Sequence, residues 1–158
     1  MALTKINNNS LSSVTALPAA IATGKVLQVV TNTHTSRFST SSTSYVAATG
    51  YTIAITPSAA SSKIFVCISA MADSGASGRI NYMTIYRGGT NLGQSSDGLA
   101  STLADGTRIY TPVTLSVLDS PSTTSAITYQ VYIKAFGGAV VFNDQESEAQ
   151  LTAFEIAG

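Results

Sequence analysis

Hydrophobic and polar residues alternate along this chain in short runs, and no stretch of useful length carries the helical period. In residues 63–71 the even positions are Ile64, Val66, Ile68 and Ala70. Alternate side chains of a strand share one face, so these line a core. The other face, Phe65, Cys67, Ser69 and Met71, is only half polar. That composition places the strand centrally, covered on its second side by another layer or a neighbouring subunit. Ile127, Tyr129, Val131, Ile133 and Ala135 alternate with Thr128, Gln130, Tyr132, Lys134 and Phe136 in a cleaner in/out pattern. Val113, Leu115 and Val117 repeat it. Near the C-terminal end, Thr152, Phe154 and Ile156 share one face and Leu151, Ala153 and Glu155 the other, with Phe154 and Ile156 expected in the core. Residues 25–30 open the first strand after Gly24, and the Thr/Ser-rich stretch 31–44 reads as a loop.

Turn signals separate these runs. Gly88-Gly89 and Gly137-Gly138 offer the positive φ that tight hairpins require, and Asp105-Gly106 does the same between Leu103 and Ile109. Pro57 and Pro121 stand where the chain leaves a strand, and there a missing N–H is harmless. About eight strands at this spacing predict an all-β fold, an antiparallel β-sandwich of jelly-roll type.

At 158 residues the chain has room for one core. The division it implies is an extended N-terminal arm, 1–24, and a single sandwich, 25–158. Charged residues are only 10% and cancel to zero net charge, which removes the electrostatic handle for nucleic acid or an anionic membrane surface. Serine and threonine make up roughly a quarter of the chain, so the surface is built from hydroxyls more than from ions. Cys67 is the sole cysteine, which rules out an intrachain disulfide, and its place in a strand predicts a packed thiol.

Residues 16–22 end in an Ala-x-Ala pattern after Lys5, as a secretory signal would. The interruptions at Asn7, Asn8, Asn9, Ser10, Ser12, Ser13 and Pro18 break the apolar region such a signal needs. No run approaches the length of a membrane-spanning helix. Leu3, Ile6, Leu11, Val14, Leu17 and Ile21 are spread through the arm among poor helix formers, which predicts an extended segment that docks its apolar residues on a partner.

Catalytic chemistry finds little support. His34 is the only histidine and lies in a polar stretch. The segment 93–98 lacks the spacing of a nucleophile elbow, and 73–79 lacks the Lys-Ser/Thr pair and following helix of a phosphate loop, so it reads as a surface turn. Asp144, Glu146 and Glu148 alternate and could meet a hard cation, but without calcium-loop spacing they read as a charged edge that discourages strand pairing. No catalytic residue, metal or cofactor is assigned. The tyrosines, Tyr45, Tyr51, Tyr82, Tyr86, Tyr110, Tyr129 and Tyr132, suit either core and interface packing or stacking on sugars.

Several segments, taken in order, are familiar: Met1-Ala2-Leu3-Thr4-Lys5-Ile6; Gly24-Lys25-Val26-Leu27-Gln28-Val29-Val30; Ile55-Thr56-Pro57-Ser58 leading into Ser61-Ser62-Lys63-Ile64. Ile85-Tyr86-Arg87-Gly88-Gly89-Thr90, Leu118-Asp119-Ser120-Pro121 and Leu151-Thr152-Ala153-Phe154-Glu155-Ile156 complete the set. Together they resemble virion structural proteins of tailed phages, particularly marine and cyanobacterial ones. The resemblance implies a non-enzymatic β module of a fibre, tail appendage or capsid decoration, often trimeric, made in the host bacterial cytoplasm and residing in the virion. Its partners would be further copies of itself and other virion proteins. Only about two dozen residues precede the β region, which favours a short appendage or capsid-surface protein over a long fibre. The alternative is a lectin-like module that binds a host-surface glycan through its tyrosines.

Overall fold

The computed structural model describes residues 25–144 and 147–158. The arm and its docking residues Leu3, Ile6, Leu11, Val14, Leu17 and Ile21 lie outside the described residues. Eleven strands follow one another: β1 (Val26–His34), β2 (Phe38–Thr40), β3 (Val46–Ile55), β4 (Lys63–Asp73), β5 (Ile80–Arg87), β6 (Thr90–Asn91), β7 (Ala100–Leu103), β8 (Tyr110–Asp119), β9 (Ile127–Phe136), β10 (Val140–Phe142) and β11 (Ala149–Ile156). Among the described residues there is no helix, and so none long and apolar enough to cross a membrane.

Two antiparallel sheets pack as a sandwich. In the first, β4 is central: Ile64 pairs with Asp119 of β8 on one side and with Glu155 of β11 on the other. β1 pairs with β11 at one end of the path, while β10 and then β2 continue beside the far end of β4. In the second sheet β9 lies between β3 and β5, and the other edge of β5 is shared by β6 and β7. β4 and β9, two long strands of alternating pattern, are thus each flanked on both edges.

Between the sheets lie Ile64, Val66, Ile68, Leu115, Leu151 and Ala153 from the first and Tyr51, Ile53, Met83, Ile85, Tyr129, Val131 and Ile133 from the second, all at 3% exposure or less. Burying each large aliphatic of this set contributes about 1.5–3 kcal/mol against the entropy of ordering the chain. Val113 and Val117 pack against the same core at its margin. Pro112 is accommodated within β8, a strand with β4 as its one partner, where a missing N–H breaks no second ladder.

The structure corrects the alternation at the C-terminal end. Phe154 and Ile156 do not enter the core; Ala149, Leu151, Ala153 and Glu155 form the buried face of β11. The register is decisive, because Leu151, Ala153 and Glu155 stand opposite the inward-facing Ile68, Val66 and Ile64. Glu155 tolerates complete burial because its carboxylate accepts hydrogen bonds from Ser58 N (2.7 Å), Ser58 Oγ (2.6 Å) and Gln28 Nε2 (2.6 Å). The stretch 31–44 is not all loop, since β1 continues to His34 against β11 and β2 pairs with β10. Gly88-Gly89 does close a hairpin, Arg87 pairing with Thr90. Gly137-Gly138 and Asp105-Gly106 instead carry the chain from the second sheet to the first, so their positive φ turns the backbone across the sandwich.

Candidate functional site

His34 meets Tyr51 edge-on with ring centroids 4.6 Å apart, and its ring covers Gly50 so closely that a Cβ there would fall 2.3 Å from it. The segment 93–98 is a turn closed by reciprocal backbone bonds between Gln94 and Gly98, and it lies on the second sheet's side while His34 belongs to the first. Asp73 and Ser74, expected at a surface turn, are fully buried. Arg108 Nη2 contacts Asp73 at 2.5 Å and Asp144 at 2.7 Å, and Arg37 adds a second cation to Asp144 at 3.2 Å. Burial alone would raise the Asp73 carboxyl, but bonds from Arg108 and the Gly75 N–H hold it below the usual carboxylate range. Glu148 is exposed, Glu146 lies outside the described residues, and among the described residues no three His, Cys, Asp or Glu side chains gather as metal ligands.

Two surfaces remain, the outward faces of the two sheets. On the first sheet the register places Val29 opposite Phe154, Phe154 opposite Phe65, and Phe65 opposite Leu118. Residues directly opposite in an antiparallel pair share a face, so these form one apolar row across β1, β11, β4 and β8, roughly 14 Å long. The Phe65 and Phe154 rings lie 6.1 Å apart. At the ends of the row Val29 and Leu118 are 52% and 53% exposed, and Leu27, near Val29 on β1, is 44% exposed. The next row, Thr31, Thr152, Cys67 and Ser116, is polar except for the half-buried thiol, whose pKa burial pushes up. Cys67 therefore faces outward beside the apolar row.

On the second sheet the outward face is aromatic. Tyr86 and Tyr132 stack with centroids 4.0 Å apart, and Tyr45, just before β3, tilts against Tyr86 at 6.2 Å. Lys134, opposite Tyr82 in the ladder, holds its ammonium 4.9 Å over the Tyr45 ring and 4.8 Å over the Tyr82 ring. Each such contact is worth about 0.5–1 kcal/mol at an exposed site, less than a hydrogen bond to a charged acceptor at about 1.5–3. Among the described residues Lys134 makes no ion pair and no hydrogen bond. The Tyr45 hydroxyl is closed off from solvent without a hydrogen-bond partner. Burial, then the neighbouring Tyr86, Asp97 and Tyr82, push its pKa up to about 12. Beside this cluster Leu103, Ile80 and Phe136 form an apolar row in register, with Leu103 at 55% and Phe136 at 59% exposure.

The tyrosines thus divide. Tyr51 and Tyr129 are core residues, while Tyr45, Tyr82, Tyr86 and Tyr132 build an outer platform that spacing along the chain does not reveal. A signal existed in the sequence: Tyr82 and Tyr86 share parity with each other and oppose the apolar Met83 and Ile85.

No known family model matches the chain, and no curated protein sequence matches it.

Proposed function

We propose that this chain is a non-enzymatic structural protein of a tailed-phage virion, a short fibre, tail appendage or capsid-surface module. Its sandwich self-associates as a homotrimer through the outward face of the first sheet, and the arm 1–24 attaches it to other virion proteins through Leu3, Ile6, Leu11, Val14, Leu17 and Ile21.

The observation that carries this reading is the row Val29–Phe154–Phe65–Leu118. Its middle members stand in a surface otherwise rich in hydroxyls, and its ends leave large aliphatics more than half exposed. A contiguous exposed apolar stripe, bordered on one side by the hydroxyls of Thr31, Thr152 and Ser116, is the mark of an association surface. The row also reaches both β1 and β8, strands with one neighbour each, so a closed ring of copies would shield those edges together with the stripe. Low charge and many hydroxyls suit a protein that must persist in a particle through changes of salt and pH.

The test is incorporation. Particles assembled with the labelled chain should carry it at a fixed position on tail or capsid when imaged, and deletion of residues 1–23 should leave a folded sandwich that no longer enters particles. Normal incorporation of the truncated chain would move the attachment to the sandwich; absence of the full chain from particles would refute the virion role.

A further inference from the structure

We propose that the outward face of the second sheet is a binding site for an acidic saccharide, a sugar chain bearing carboxylates of the uronic or sialic type. Lys134 anchors the site. Its ammonium has three N–H donors, all without an acceptor among the described residues, and it is held between two rings that fix its position without neutralising it. A carboxylate would form a charge-assisted bond there that the protein itself does not supply.

The surroundings specify the rest of the ligand. Phe136 follows Lys134 on the same face and is 59% exposed, while Tyr82, opposite Lys134, and Tyr132, two residues before it, flank the lysine. Such ring faces stack on the C–H surface of a pyranose while its hydroxyls turn outward. Those hydroxyls would meet Gln130 and Ser101, polar groups placed along the same face.

Other ligand classes fit less well. A nucleic-acid strand needs a track of cations to meet a charge on every nucleotide, whereas this face offers Lys134 for a single carboxylate and the chain as a whole has zero net charge.

Calorimetry on the full chain with trigalacturonate, and with the neutral galactose trisaccharide as comparator, tests the site. The acidic sugar should bind at least about tenfold more tightly than the neutral one. Lys134→Gln, which removes the charge and keeps a polar side chain, should remove that preference and leave residual neutral binding unchanged. Phe136→Ala, at an exposed position that does not endanger the fold, should weaken both sugars. The proposal is overturned if neither sugar binds at millimolar concentration, if both bind equally, or if the two variants bind trigalacturonate as the wild type does. It is likewise overturned if Lys134→Gln and Phe136→Ala change the oligomeric mass, which would make this face a protein interface.

Discussion

Arg87 of β5 places Nη1 2.8 Å from both carboxylate oxygens of Asp119 at the end of β8, and so ties the second sheet to the first. The Tyr129 hydroxyl donates to the same carboxylate at 2.7 Å, and burial together with that bond raises the tyrosine pKa well above its usual range. Sandwiches of this kind are held mainly by apolar burial, but a polar clamp at the margin fixes how the sheets sit on one another. Asn81 Nδ2 on Val141 O (2.9 Å) and Asn32 Nδ2 on Thr52 O (2.7 Å) bridge the sheets in the same way.

Replacing Asp119 by Ala therefore leaves Tyr129 and part of Arg87 without an acceptor. The expected loss is about 2–4 kcal/mol, below the full cost of a buried pair because the Arg87 side chain is 28% exposed. Denaturant unfolding of the variant measures it. A loss under about 0.5 kcal/mol would show that solvent replaces the clamp.

Acid sensitivity should reside largely in Glu155. Burial would raise its pKa, yet the bonds from Ser58 and Gln28 bring it from 4.5 down to about 2. A carboxyl depressed in the folded state binds its proton more readily when unfolded. Its contribution is therefore complete above about 4.5 and is lost as pH falls toward about 2. Asp73, also depressed, acts in the same direction. Glu155→Gln should lower stability at neutral pH by roughly 1–3 kcal/mol and flatten the fall in melting temperature below pH about 4.5. An unchanged acid limb in the variant would assign the sensitivity elsewhere.

The phase of β11 is open to a paired test. Leu151→Asp puts an unpaired charge opposite Ile68 and should prevent folding, since that cost of several kcal/mol is comparable to a whole stability of about 5–15. Thr152→Asp faces outward and should leave a folded chain by circular dichroism. The reverse outcome would restore the opposite face to the core. Ile133→Asp, at a fully buried position of β9, should also abolish folding.

The strands that the sequence disclosed are those whose inner and outer faces differ in kind. In β9 every inward residue is apolar or aromatic and most outward ones are polar, so parity alone assigns its face. In β11 the inward set includes two alanines flanking Leu151 and ends in Glu155, whose partners Ser58 and Gln28 lie 97 and 127 residues away in the chain. Local alternation cannot register partners so distant, and the larger Phe154 and Ile156 look like the core. The apolar row was half legible through Phe65, but its other members join only once pairing sets Val29, Phe154 and Leu118 beside it. The tyrosine platform depends on Tyr45, Tyr82 and Lys134 meeting across strands far apart in the chain, and no motif spacing encodes that.

The central claim, self-association through the Phe65–Phe154 face, is tested most directly by light scattering of the full chain at micromolar concentration beside Phe65→Lys and Phe154→Lys. The wild type should have the mass of a trimer, and each variant should fall to a monomer with an unchanged circular dichroism spectrum, because a desolvated ammonium opposes burial of that face without entering the core. A monomeric wild type, or a trimer that survives both substitutions, would contradict it.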